Sequence, residues 1–344
     1  NFSMDEILLT TSLDNMYFTN CDYDDCDNGD IETFEKRFMP AFYFTIFTLS
    51  TVANGLVLYI LFKYEKLERV TNIFILNLVL SNIIFASFLP FWAIYHRLEW
   101  IFGNVMCKLS AAAFFIGFYS SVIFLTLMTV DRYLIIVHSI FALKTRRKRY
   151  AFLVCAFVWC LSLLTALPKF ILYNTLSVDG YGLLCEESGY GDNVINRWRL
   201  ISNFQQMLLF FLIPLVVMCY CYARIGIVII QSKTVNKSRV LIIIFITVLL
   251  FFFCWTPYNI VIFLDSLNLL QSASSNQSDN LDYPFYICKI LSYLHCCINP
   301  IFFTFVGKKF RRHLVNIFER EILCIGVDAN TSVSDRRYVQ TMNN

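Results

Sequence analysis

The chain has 344 residues, of which 58% are hydrophobic and only 15% are charged, with a formal net charge of +3. Soluble domains are roughly one-quarter charged, so this composition belongs in a lipid bilayer and excludes an ordinary water-soluble enzyme or nucleic-acid-binding domain. A helix needs about 20 apolar residues to cross the hydrocarbon layer, and the chain supplies seven such runs.

Ahead of the first run lies a strongly acidic segment, residues 1–38, with Asp22, Asp24, Asp25, Asp27, Asp30, Glu32 and Glu35 in close succession. Within it, Cys21-Asp22-Tyr23-Asp24-Asp25-Cys26 surrounds Tyr23 with carboxylates, the setting a tyrosine sulfotransferase favours. Tyr17 has fewer acids around it. Such a tail is either a solvated arm or a docking surface for a basic partner, and a sulfated Tyr23 favours docking. The first apolar run is too long and comes too late for a cleavable signal peptide, so the first helix is expected to direct its own insertion.

The runs then fall at 39–62, 71–95, 105–137, 150–172, 200–230, 240–267 and 283–306. Lipid offers no partner to an unpaired backbone group and the runs lack the alternation of barrel strands, so they predict an all-α membrane fold, a seven-helix bundle. An amphipathic juxtamembrane helix is expected at 307–320, followed by a tail at 321–344. Lys and Arg mark the cytoplasmic face. They cluster in loop one (Lys63, Lys66, Arg69), loop three (Lys144, Arg146, Arg147, Lys148, Arg149), loop five (Lys233, Lys237, Arg239) and after the seventh run (Lys308, Lys309, Arg311, Arg312). The N-terminus is therefore outside, and the net charge conceals a segregation of acid outside from base inside. With that topology, the glycosylation signals at Asn1 and Asn276 face outward, whereas those at Asn236 and Asn330 face the cytosol.

Particular motifs sit on this frame. The third run ends in Asp131-Arg132-Tyr133, the sixth carries Cys254-Trp255-Thr256-Pro257 and the seventh His295-Cys296-Cys297-Ile298-Asn299-Pro300; Asn54, Trp159 and Pro214 mark runs one, four and five. Leu89-Pro90-Phe91-Trp92, Trp100-Ile101-Phe102-Gly103 and Ile116-Gly117-Phe118-Tyr119-Ser120-Ser121 complete the set. In this order they resemble the rhodopsin-type G-protein-coupled receptors, and within them the CC chemokine receptors, over nearly the whole chain from about Cys21 to Glu319. The resemblance implies a plasma-membrane receptor that binds a basic chemokine outside and a heterotrimeric G protein, of the inhibitory class, inside. Arrestin and membrane lipid are further implied partners; no cofactor, metal or nucleic acid is called for.

Residue by residue, the resemblance implies a ligand pocket lined by Tyr43, Trp92, Phe114, Phe115, Tyr258 and Lys289, with Asp265 and Glu187 near the rim and Tyr23 on the tail. It implies an inner switch of Asp131, Arg132, Tyr133, Tyr222, Trp255, Asn299 and Pro300, in which Asp131 restrains Arg132 and Trp255 acts as a bulky lever at a proline kink. It also implies a disulfide between Cys107 and Cys185. Of the 13 cysteines, Cys155, Cys160, Cys219, Cys221, Cys254, Cys296 and Cys297 lie deep in the apolar runs and read as small buried hydrophobes. Cys21, Cys26 and Cys288 leave an odd outer thiol whichever way they pair. Cys324 is either palmitoylated or a bare thiol.

Three positions depart from the family pattern. Lys289 stands where a glutamate answers a ligand amine, so the anchor is either Asp265 with the acidic tail, or ordinary activation by the ligand's N-terminus is lost. Asn82 replaces the acidic residue that resembles the sodium-binding position beside Ser121 and Asn299. Phe303 replaces a tyrosine whose hydroxyl could reach Tyr222. These keep a second reading open, a decoy or scavenger that couples weakly or constitutively. Enrichment in Phe, Ile, Asn, Tyr and Lys suits an AT-rich genome, which fits a virus-encoded homologue as well as a drifted vertebrate receptor. A channel or transporter is disfavoured because no inverted repeat or row of intramembrane charges is visible. An opsin is excluded because the retinal lysine would fall at Tyr293.

Overall fold

A computed structural model describes residues 28–65, 67, 69–138, 148–178, 182–232, 238–271, 282–297, 300, 312 and 315. Among them the chain forms α1 (Asn28–Tyr64), α2 (Val70–Ser87), α3 (Leu89–Tyr95), α4 (Gly103–Val137), α5 (Lys148–Leu172), β1 (Tyr173–Val178), β2 (Gly182–Glu187), α6 (Asp192–Met207), a π-helical turn (Leu208–Leu212), α7 (Ile213–Ser232), α8 (Ser238–Gln271) and α9 (Asp282–Tyr293). Six continuous helical spans are long and apolar enough to cross a membrane, and the apolar stretch Ile287–Cys297 is the shorter seventh. The expected juxtamembrane helix at 307–320 lies outside the described residues apart from Arg312 and Val315.

The second and fifth runs are each interrupted. Pro90 lacks an amide donor, and the second run breaks at Phe88 with Pro90 in the first turn of α3. The fifth run starts eight residues earlier than its apolarity suggests, at Asp192, and widens into a π turn at Leu208–Leu212 before Pro214. π turns insert one residue into the backbone ladder and re-aim the side chains around them.

Large apolar side chains such as Val52, Phe62, Phe157, Leu164 and Val216 are exposed on the helix exteriors. In a bilayer this surface meets acyl chains, so burial inside the bundle is carried by close packing and by small residues. Gly117 of α4 marks the tightest crossing: a methyl group built there would stand 2.7 Å from the backbone nitrogen of Phe85 on α2. Polar groups in the interior pair with one another, as in Ser120 donating to Ser81 (2.8 Å) and the Trp159 indole donating to Asn77 (2.8 Å).

The feature that the periodicity of the chain did not reveal is an outer hairpin. β1 and β2 pair antiparallel with Thr175 opposite Cys185 and Tyr173 opposite Glu187. The disulfide Cys107–Cys185, spanning 5.6 Å between Cα atoms, ties β2 to the outer end of α4, as the family resemblance implied. Backbone bonds add a second tie, with Trp100 N–H donating to the Leu183 carbonyl (2.7 Å) and Leu183 N–H to the Glu99 carboxylate (2.7 Å). Thr175 N–H donates to the Asn104 side chain (3.0 Å). Gly182 holds φ +78, a left-handed conformation that opens the hairpin's second strand beside Glu99. A small cluster of Trp100, Cys107, Ala111, Tyr173 and Cys185 fills the space beneath it.

Candidate functional site

The outer half of the bundle is lined with rings at contact distances. Tyr43 of α1 meets Tyr293 of α9 edge-on at 5.4 Å and His96 at 5.4 Å. Phe114 of α4 packs against Phe85 (4.9 Å), Phe115 (5.1 Å) and Tyr293 (5.6 Å). Trp92 of α3 leans on Trp100 at 5.6 Å and Tyr95 at 5.8 Å. Tyr258 of α8 meets Trp255 edge-on at 5.8 Å. Edge-to-face pairs of this kind fix ring orientations beyond what area burial provides. The structure thus brings together Tyr43, Trp92, Phe114, Phe115 and Tyr258, with half-buried Lys289 on α9 one turn above Tyr293.

Lys289 also acts on its neighbours. His96, enclosed between Tyr43 and Tyr95, is held down to about 3 by burial first and by the Lys289 charge second. The imidazole is therefore neutral across physiological pH. Half-buried Asp265 lies on α8 toward its outer end.

Glu187 is placed otherwise than the rim position expected for it. Its side chain is 1% exposed, and its carboxylate is engaged by Lys169 of α5 (2.5 Å) and Arg199 of α6 (3.1 Å). Here it serves as an internal counter-ion to two cations. Lys169 in turn lies 5.2 Å from the centroid of the Phe115 ring, a cation–π contact that joins the ionic cluster to the pocket floor. Lys169 and Arg199 were not singled out from sequence. The available signal was a lysine inside the fourth apolar run, since an ionisable residue at that depth is by default functional or paired.

Below the floor sits Trp255, fully buried, stacked on Phe118 at 3.7 Å and edge-on to His295 at 6.1 Å. Pro257 lies two residues on inside the same helix. Tyr119 stacks on Phe210 of the π turn at 3.9 Å, joining α4 to the re-aimed backbone of the fifth span. At the inner end, buried Asp131 accepts a hydrogen bond from the Thr71 hydroxyl of α2 (2.8 Å). Its neighbour Arg132 is half-buried, and the Tyr133 hydroxyl bonds His138 at 3.0 Å. Tyr222 of α7 packs edge-on against Phe245 of α8 at 5.3 Å. Pro300 is buried. Tyr23, Asn1, Asn276, Asn299 and Phe303, together with Cys21, Cys26 and Cys324, lie outside the described residues.

Asn82 is buried, and its amide donates to the Asn54 carbonyl oxygen at 3.3 Å, while Asn54 donates to the Cys296 backbone oxygen at 3.1 Å. Ser121 donates to the Phe118 carbonyl at 2.9 Å. These side chains are neutral, and their donors go to a neighbouring amide or to backbone carbonyls. Among these three described residues none brings the negative charge that a buried sodium ion favours in its oxygen shell.

Comparison with known proteins places this geometry. Residues 53–303 match the family model described as 7 transmembrane receptor (rhodopsin family). The human C-C chemokine receptor type 8 is 35% identical over 316 residues, 91% of this chain and 88% of that protein. The type 3 receptor of Macaca mulatta is 34% identical over 323 residues, covering 92% and 90% of the two chains, and the human type 4 receptor is 34% identical over 297 residues, covering 86% and 81%. The chain belongs to the C-C chemokine receptor family of rhodopsin-type receptors.

Membership makes the receptor a multi-pass plasma-membrane protein and not an enzyme. It also gives the two halves of the bundle their meaning. The aromatic cluster beside the hairpin lies at the outer end of the bundle, and the Asp131-Arg132-Tyr133 segment at its cytosolic end.

Proposed function

We propose that the receptor binds a basic chemokine at its outer face and activates a heterotrimeric G protein, of the inhibitory class, at its inner face. The observation that carries this reading is the coexistence, in one chain aligned over nine-tenths of its length with C-C chemokine receptors, of a ring-lined outer pocket and an intact Asp131-Arg132-Tyr133 inner end. The pocket residues proposed to meet the ligand are Tyr43, Trp92, Phe114, Phe115, Tyr258, Asp265 and Lys289, with Tyr23 on the tail. The acidic tail attracts a cationic protein at a distance and raises its encounter rate.

The inner half acts by release. Asp131, buried and bonded to Thr71, restrains the end of α4 beside Arg132. Rotation about the Pro257 kink, with Trp255 as lever, displaces the inner end of α8 from α7, where Phe245 now packs on Tyr222. That displacement opens the surface that Arg132 presents to a G protein. Arrestin would read the segment after the seventh span through Thr331, Ser332 and Ser334.

A second reading, a chemokine-binding decoy, is favoured specifically by Lys289 and Asn82. One test separates the two: labelled chemokines are applied as a panel to cells expressing the receptor while inhibition of cyclic AMP is recorded. Binding with inhibition supports the signalling receptor, binding without it supports the decoy, and no binding by any chemokine removes both.

A further inference from the structure

Glu187 stands between two cations that have no other counter-ion contact among the described residues. Its Oε1 accepts from Lys169 Nζ (2.5 Å), and its Oε2 accepts from Arg199 Nε (3.3 Å) and Nη2 (3.1 Å). The Lys169 and Arg199 side chains are 8% and 9% exposed. Two like charges held this close and this dry repel strongly unless the carboxylate lies between them. The last residue of β2 therefore fixes the outer ends of two helices at once, α5 through Lys169 and α6 through Arg199.

From each cation a path leads to Trp255, one through ring contacts and one along a face of α6 and its hydrogen bonds to α8. From Lys169 the route is aromatic: Phe115 under the ammonium, Tyr119 at 5.8 Å from Phe115, Phe118 at 5.4 Å from Tyr119, and Trp255 stacked on Phe118 at 3.7 Å. From Arg199 the route is polar. Asn203 and Gln206 follow it at i+4 and i+7, on the same face of α6. Asn203 donates to Ser266 of α8 (3.0 Å), Gln206 to Asn259 (3.4 Å), and Asn259 to the Trp255 backbone carbonyl (2.9 Å). Gln206, Asn259 and Ser266 are all buried. One carboxylate on the outer hairpin is thus connected to the ring of Trp255 by one path and to its backbone by another.

We propose that Glu187 is a positioning residue: through Lys169 and Arg199 it sets the orientation of Trp255, so that displacement of the outer hairpin is passed to the proline hinge of α8. This deepens the receptor reading given above and rests on it for its meaning in signalling. The physical linkage itself needs neither a ligand nor a G protein.

The test uses the full-length receptor in lipid nanodiscs with 5-fluorotryptophan at its five tryptophans, Trp92, Trp100, Trp159, Trp198 and Trp255. The Trp255 fluorine signal is assigned by its disappearance in Trp255→Phe. Trp159, which packs against Phe124 and bonds Asn77 away from the cluster, is the internal control. The combined variant Lys169→Met, Glu187→Leu, Arg199→Met removes all three charges at similar volume, an exchange that buried ion clusters tolerate in folding. Glu187→Asp keeps the charge but shortens the reach by one methylene. Both variants are expected to shift or broaden the Trp255 signal and leave that of Trp159 in place. In cells, they change the basal inhibition of cyclic AMP by severalfold while surface expression stays within twofold. A folded triple variant whose Trp255 signal matches the parent overturns the proposal, as does an unmoved signal in Glu187→Asp when the triple variant fails to fold. If the fluorine signal moves but cyclic AMP never responds in any variant, the linkage stands and the G-protein reading falls.

Discussion

Gly117 shows how much a single hydrogen can decide in this bundle. A methyl there would meet the Cα, Cβ and nitrogen of Phe85 at 2.7–2.8 Å, and backbone cannot swing aside as a flexible side chain can. Gly117→Ala is expected to push α2 from α4 and destabilise the receptor by on the order of 1–3 kcal/mol, seen as a lower melting temperature in detergent and reduced surface expression. Lys289 acts by charge. Replacing it with Glu restores an acid beside His96 and Tyr293, and the expected outcome is a leftward displacement of the chemokine dose response. A curve that superimposes on the parent's would dismiss Lys289 as a ligand determinant. His96 provides the pH dependence. Its folded-state value near 3 lies below its ordinary 6.5, so the unfolded chain takes up the proton first as pH falls. Stability conferred by neutral His96 is complete above about pH 6.5 and is lost progressively below it, by on the order of 2 kcal/mol at pH 5. Melting temperature measured from pH 7 to 4 should fall, and His96→Phe should flatten that fall.

At the scale of elements, a polar ladder of amides joins the first, second and seventh spans. Asn82 to Asn54 to the Cys296 carbonyl is a run of neutral hydrogen bonds, and a sodium ion entering it would lose its hydration without gaining a counter-charge from these residues. Chemokine binding to washed membranes is therefore expected to be unchanged when sodium chloride is replaced by an equal ionic strength of an organic cation's chloride. A clear sodium-specific loss of affinity would contradict this. The outer hairpin is the other element with consequences. The disulfide, the Glu99 and Trp100 bonds to Leu183, and the Glu187 ion cluster hold it to α4, to the α3–α4 connection and to α5 and α6 respectively. The roof of the pocket is thereby part of the bundle's framework.

For the whole molecule, charge is arranged across the membrane. Acid is concentrated ahead of Met39 and base on the cytoplasmic loops, so a cationic ligand is drawn to one face only. Association of a basic chemokine is expected to slow by about tenfold when ionic strength rises from about 0.05 to about 0.5 M, because the screening length shrinks to a few ångström. Dissociation, governed by the ring-lined pocket, should change little. Stopped-flow kinetics with labelled chemokine separate the two.

The number of spans, their identity as helices, their orientation and the family were all legible in the chain. Each follows from a local quantity: apolar length, the absence of strand alternation, the side on which Lys and Arg fall, and motifs such as Asp131-Arg132-Tyr133. The aromatic positions could be named from the chain as well, and the structure packs Tyr43, Phe114 and Phe115 into one cluster around Tyr293. What the sequence could not determine was how side chains from different helices divide their partners. Glu187 reads as a rim acid until the hairpin register turns it onto Lys169 and Arg199, and Asn203 and Gln206 meet Ser266 and Asn259 only once α6 and α8 lie side by side. Hydropathy is a property of each segment alone and survives any arrangement of the segments. Pairing depends on which faces meet, and that was settled only when the helices packed.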